Sequence, residues 1–190
     1  MAHNTPTALR LLSIQGSPSA RSRSAWLQQL AQTRLEGRIG HSTTLALREL
    51  PAAALLLADT GAEPVRQALS ALAQAQLVIV ATPIYKAAYS GLLKTFLDLL
   101  PEGALRRKTV LPLATGGTLA HLLALDYALK PVLGALGARD ILDGVFATDA
   151  QLTAHPDSGG YVPAPELLQR LDAALQPLLA RRTVEFSPTC

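Results

Sequence analysis

Hydroxyls and guanidiniums crowd the segment Ser13-Ile14-Gln15-Gly16-Ser17-Pro18-Ser19-Ala20-Arg21-Ser22-Arg23-Ser24, which joins a short apolar run to an amphipathic stretch. The helix that the stretch predicts begins with backbone N–H groups that lack intrahelical partners, so its N-terminus favours an anion. Ser17, Ser22 and Ser24 can donate to phosphate oxygens, and Arg21 or Arg23 can add charge-assisted bonds worth about 1.5–3 kcal/mol each. Gly16 lets the backbone turn sharply. The segment therefore reads as a phosphate cradle. It contains neither Gly-x-Gly-x-x-Gly nor a terminal Gly-Lys-Ser/Thr, which argues against a nucleoside triphosphatase. Solvated arginines beside a Ser-capped helix are the plainer reading of the same residues.

Two other segments could meet this cradle. Thr82-Pro83-Ile84-Tyr85-Lys86-Ala87-Ala88-Tyr89-Ser90-Gly91 leaves a buried strand, so its main chain can read the N–H and C=O edge of a flat heterocycle. Pro83 and Ile84 can touch a ring face, Tyr85 can pack on the same rings, and Lys86 is a cation at the rim. Tyr89 reads as a gap filler. Thr115-Gly116-Gly117-Thr118 with His121 allows close backbone approach and hydrogen bonds to ring carbonyls. No paired carboxylates, Gly-x-Ser-x-Gly elbow or spaced histidine cluster is present, so hydrolysis and metal chemistry lack candidates. The residues suit holding a cofactor whose own atoms react, and no side chain is assigned a catalytic role.

The elements that must position these loops follow from periodicity. Apolar runs at Leu9–Ile14, Ser42–Leu47, Leu77–Ala81, Thr109–Ala114 and Asp140–Ala147 predict five strands. Helices are expected over Arg23–Leu35, Glu63–Gln74, Leu92–Leu100, Leu122–Leu136 and around Leu167–Leu179, with Leu50–Thr60 and Asp149–Pro165 as excursions. Alternation of strand and helix predicts an α/β domain, flavodoxin-like, with a five-stranded parallel sheet of order 2-1-3-4-5 and helices on both faces. In that order the three loops share the carboxyl edge of the sheet. Pro131, four residues after Tyr127, has no N–H to return to the Tyr127 carbonyl, so that helix must kink or bulge.

The 190 residues fit one domain, and the composition of 49% hydrophobic against 16% charged residues suits a sheet covered on both sides. A net charge of +3 without basic blocks, and 4% aromatic residues, disfavour a nucleic-acid module. Cys190, the single cysteine, leaves no intrachain disulfide and fits a reducing, cytoplasmic setting. The first apolar run is too short for a signal segment or a membrane span.

The three loops, in this order, resemble the NADPH-dependent FMN reductase family, in particular the reductase component of two-component alkanesulfonate monooxygenases. The resemblance spans nearly the whole chain. It is carried by Gly16-Ser17-Pro18 with Ser22-Arg23-Ser24, by Ala81 through Thr95, and by Leu113-Ala114-Thr115-Gly116-Gly117-Thr118 through Asp126-Tyr127-Ala128-Leu129-Lys130-Pro131. It implies FMN with its phosphate on the first loop and its isoalloxazine between the second and third, and a homodimer or homotetramer. It implies NADPH as reductant, with NADH as the alternative, and hydride passing from nicotinamide to flavin. It also implies release of reduced FMN to a partner monooxygenase that uses it with oxygen to cleave a carbon–sulfur bond in sulfonates. Tyr127 resembles an inserted residue that creates a π-helix at a subunit interface beside the flavin. Arg21, Arg106, Arg107 and Lys86 are candidates for a nucleotide 2′-phosphate. An FMN-binding electron carrier of flavodoxin type, and a quinone or azo reductase that retains its FMN, are the competing readings on the same scaffold.

Overall fold

The computed structural model describes residues 8–156 and 159–180; Cys190 and the first seven residues lie outside them. Strand β1 (Leu9–Gln15) runs parallel to β2 (Ile39–Ala46) on one side and to β3 (Leu77–Tyr85) on the other. Beyond β3 lies β5 (Thr109–Gly116), which pairs with β6 (Asp140–Ile141) and then β7 (Val145–Thr148). The path β2-β1-β3-β5-β6/β7 is the expected 2-1-3-4-5 order. A two-residue strand, β4 (Ala88–Tyr89), is added antiparallel to the end of β3. A separate hairpin, β8 (Leu152–Ala154) with β9 (Tyr161–Pro163), occupies part of the stretch read as an excursion.

The alternation of side chains along the strands divides the core into two layers. Leu12, Ile14, Val78, Val80, Val110 and Phe146 face α2 (Ala52–Leu56), α3 (Glu63–Gln74), α4 (Gly91–Leu97) and α5 (Lys130–Ala135). Leu11, Leu77, Ile79, Leu111, Leu113 and Val145 face α1 (Arg23–Leu35) and α6 (Pro165–Ala180). Both faces are covered, so the central strands read as continuous apolar runs.

Besides the added hairpin, β3 runs on to Tyr85 where the sequence predicts an end at Ala81, and α4 closes at Leu97, before the expected Leu100; further differences have a clear physical reason. The last strand is broken, because the pairing steps from Val110↔Ile141 to Leu113↔Val145 and leaves one extra residue on the outer side. Pro112 stands opposite the break and lacks a ladder donor. Gly144 fits there because a Cβ would come within 3.1 Å of Leu125 Cδ1 and 3.3 Å of Pro112. Strand β2 begins at Ile39 rather than Ser42; as an edge strand exposed at Gly40, His41 and Ser42 it has no strong apolar pattern at its start.

The helix expected over Leu122–Leu136 is instead a 3-10 turn (Leu119–His121), a π-helical segment (Leu125–Leu129) and α5. The Lys130 N–H donates to the Leu125 carbonyl, five residues back. Pro131 cannot donate to Tyr127, and the wider turn absorbs that missing bond. Tyr127 lies in the middle of the π segment.

Candidate functional site at the carboxyl edge of the sheet

The loop after β1 opens with Gly16, whose N–H donates to the Ala81 carbonyl at 2.7 Å. A Cβ on Gly16 would lie 2.9 Å from Leu93 Cβ, so only glycine lets this turn sit against α4. Ser17 is 2% exposed, and its hydroxyl accepts the Ser19 N–H at 3.2 Å, which curls the loop. Ser19 in turn donates to the Arg21 carbonyl. Ser22 caps α1: its backbone is extended and its hydroxyl accepts the Ala25 N–H at 3.2 Å. Ser22 and Ser24 hydroxyls lie 3.0 Å apart. No acidic residue occupies the first turn of α1, so its positive end is left unneutralised.

The two arginines of this loop part company. Arg23 Nε donates to the Leu152 carbonyl at 3.1 Å, its guanidinium sits 3.6 Å from Asp149, and it lies over the Tyr161 ring at 5.2 Å. Trp26 meets the same ring edge-on. Arg23 therefore ties α1 to the β8–β9 hairpin. Arg21 is exposed, and among the described residues its guanidinium has no partner. Arg106 and Arg107 precede β5 and stand at the amino end of the sheet, a strand length of roughly 23 Å from the loops. Within one chain they lie far from a nucleotide held at the carboxyl edge.

The second loop is a continuation of the sheet. Ile84 pairs with Tyr89 and Tyr85 with Ala88, and the turn between them is Lys86-Ala87 with φ of 51° and 64°. Two successive left-handed residues make a type I′ hairpin turn, usually built from Asn-Gly. Here it is built from residues that each lose about 1 kcal/mol in that conformation. Ile84 packs into the core, Pro83 is half-buried, and Tyr85 is 51% exposed beside the exposed Lys86. Tyr89 is half-buried; burial pushes its phenol above the ordinary value of 10.0, opposed by the Lys94 charge and reinforced by that of Asp98.

Ser90, which the sequence reading does not count among the site residues, joins the first two loops. Its hydroxyl donates to the Gly16 carbonyl and accepts the Leu93 N–H at 3.1 Å, and its own N–H donates to Thr82 Oγ1 at 3.0 Å. A serine directly before a helix with a free N–H three residues on is the sequence sign of such a cap.

The third loop leaves β5 beside the second, because Pro83 is in register with Thr115. Thr115 is buried. Gly116 is needed for packing: a Cβ would meet Phe146 Cζ at 3.1 Å and His121 Nδ1 at 3.4 Å. A Cβ on Gly117 would meet nothing within 4 Å, so open space lies over that residue. Thr118 is exposed. His121 Nδ1 is buried with no partner among the described residues, beside Gly116. The β4 strand packs against the π segment, which brings Tyr127 to the same side of the molecule. Tyr127 is 79% exposed, near the exposed Leu119, Leu122 and Leu123.

Ser17, Arg21, Ser22, Ser24, Tyr85, Lys86, Thr115, Gly117, Thr118 and His121 thus lie at or just beyond the carboxyl ends of three adjacent strands, β1, β3 and β5. No helix among the described residues is long and apolar enough to cross a membrane.

Residues 9–153 match the family model described as NADPH-dependent FMN reductase. The chain is 48% identical over 180 residues to the FMN reductase (NADPH) of Escherichia coli K12, covering 93% of each. It is 48% identical over 165 residues to the protein of that name from Pseudomonas putida KT2440, covering 87% of this chain and 82% of the relative. Among solved structures, the apo form of an NADH:FMN oxidoreductase superposes with a TM-score of 0.82 at 36% identity, covering 95% of this chain and 92% of that one. With the family's fold built from these residues and its model spanning most of the chain, this protein belongs to the NADPH-dependent FMN reductase family.

Proposed function

We propose that this chain reduces FMN at the expense of NADPH or NADH, holding the flavin phosphate on the loop from Gly16 to Ser24 and the ring system between the Tyr85 hairpin and Gly117. The single observation that carries this reading is the meeting of three features at one sheet edge: an anion-ready helix N-terminus, a main-chain hairpin and open space over Gly117. The residues fit the group. Ser17 and Ser22 present hydroxyls and α1 presents free N–H groups to a phosphate, Arg21 supplies the unpaired cation, and the orphaned His121 Nδ1 awaits a polar partner.

When bound, FMN supplies the electron acceptor: a ring that takes up a hydride from reduced nicotinamide. The chain's own work is orientation. Pro83 to Tyr85 and Thr115 to Gly117 set the plane of the ring, and the nicotinamide stacks on the ring's free face. Stacking of donor and acceptor can lower a barrier by up to ~7–11 kcal/mol without a protein base. Arg21 and Lys86 are the cations left at this edge for a nucleotide 2′-phosphate.

The reduced flavin passes to a partner monooxygenase that cleaves carbon–sulfur bonds in alkanesulfonates, and the chain assembles with copies of itself through the face of Tyr127, Leu119, Leu122 and Leu123. The exposure of these apolar side chains beside the site supports an interface there. Steady-state NADPH and NADH oxidation with and without added FMN tests the reading. Turnover that rises with FMN supports it, and oxidation indifferent to FMN overturns it.

A further inference from the structure

One side of α1 carries a polar stripe, buried at Ser24 and Gln28 and half-buried at Gln32. Ser24, Gln28 and Gln32 follow at four-residue spacing, one above another on a single helix face. Gln15 Nε2 donates to Gln28 Oε1 at 2.7 Å, Gln28 Nε2 donates to Gln32 Oε1, and Gln32 Nε2 donates to Ser42 Oγ at 2.8 Å. Gln28 is fully buried and Gln15 is 6% exposed. The chain of amides runs in one sense from the last residue of β1, across α1, to the edge strand β2.

Burial alone does not call for these residues. Leucine or methionine would fill the same volume without desolvating an amide, whose loss of partners costs about 1–3 kcal/mol. What amides add is a fixed register, since a slipped helix would leave them unpaired. The location gives that register a use. Gln15 is the residue before Gly16, and Gln28 is the sixth residue of the helix that ends the same loop. The Gln15–Gln28 bond therefore clasps the two sides of the phosphate loop from beneath. The free N–H groups of α1 keep a set distance and rotation relative to Gly16 and Ser17.

We propose that Gln28, held between Gln15 and Gln32, is a positioning residue that sets the selectivity of this cradle for a phosphorylated over an unphosphorylated flavin. It acts through α1 and has no contact with the flavin itself. The inference rests on the proposed seating of the FMN phosphate on this loop.

The test compares FMN with riboflavin, which has the same ring without the phosphate. Dissociation constants from flavin fluorescence, and KM and kcat for both flavins, are measured for Gln28→Met, the double variant Gln15→Met/Gln28→Met, and Ser17→Ala. Gln28→Met is expected to raise the FMN dissociation constant about 2- to 10-fold, the value of one hydrogen bond, with that of riboflavin and the kcat at saturating FMN unchanged. The double variant leaves no orphaned amide on Gln15, so it recovers melting temperature while keeping the FMN defect. It also carries the test if the single variant folds poorly. Equal weakening of both flavins, weakening of neither, or recovered selectivity in the double variant overturns the proposal. Loss of phosphate discrimination in Ser17→Ala but not in Gln28→Met sinks the positioning role alone. No loss in Ser17→Ala sinks the cradle reading and this inference with it.

Discussion

The Ser90 hydroxyl donates to the Gly16 carbonyl across 74 residues of sequence, and the same oxygen accepts the Leu93 N–H. One side chain therefore closes the turn after β1, caps α4 and fixes the end of the hairpin. Ser90→Ala leaves the buried Gly16 carbonyl and the first turn of α4 short of partners. The expected cost is about 1–3 kcal/mol in chemical denaturation, with a raised KM for FMN.

Gly16 offers a steric counterpart. In Gly16→Ala the new methyl would press on Leu93 Cβ at 2.9 Å and on the Ala81 carbonyl at 3.3 Å, and none of these atoms is the end of a flexible chain. We expect a loss of about 1–3 kcal/mol and weaker FMN binding, checked by thermal melting and flavin titration.

The sheet order and the grouping of the three loops were legible in the sequence, because central strands buried on both faces are continuous apolar runs and the crossover rule leaves few topologies. The Tyr127–Pro131 spacing likewise announced an irregular helix, and the structure resolves it as a π segment. What the sequence hid was where side chains pair. Arg21 and Arg23 look equivalent in a row of serines, yet Arg23 points to Leu152 and Asp149, more than a hundred residues away. Arg106 and Arg107 looked available until β5 placed them at its amino end. The hairpin at Lys86-Ala87 was invisible because neither residue has the glycine or asparagine that normally marks such a turn.

Arg21 and Arg23 are expected to separate in function. Arg21→Ala should raise the dissociation constant for FMN by about tenfold, as for loss of a charge-assisted bond, and leave that for riboflavin in place. Arg23→Ala should cost about 1 kcal/mol of stability by freeing the β8–β9 hairpin, with the FMN to riboflavin ratio unmoved.

The left-handed pair in the hairpin gives a stabilising substitution. Ala87, at φ 64°, should gain about 1 kcal/mol on replacement by glycine. Equilibrium denaturation of Ala87→Gly checks the direction.

Lys108 supplies a pH dependence. Its ammonium is buried and donates to the Ala73 and Ala75 carbonyls at the end of α3, at 3.0 and 2.7 Å. Burial holds its pKa below the ordinary 10.5. As pH rises toward 10.5 the folded chain releases this proton before the unfolded one, so the unfolded state binds more protons and stability from this group rises across that window. Denaturation curves should show wild type gaining on Lys108→Met as pH climbs toward 10.5; a constant difference would contradict this.

The seating of FMN is tested most directly by a crystal structure of the chain soaked with that flavin. The phosphate is expected against Ser17 and the N-terminus of α1, with the ring between Tyr85 and Gly117. A flavin bound elsewhere, or one whose phosphate points away from that helix, would contradict it.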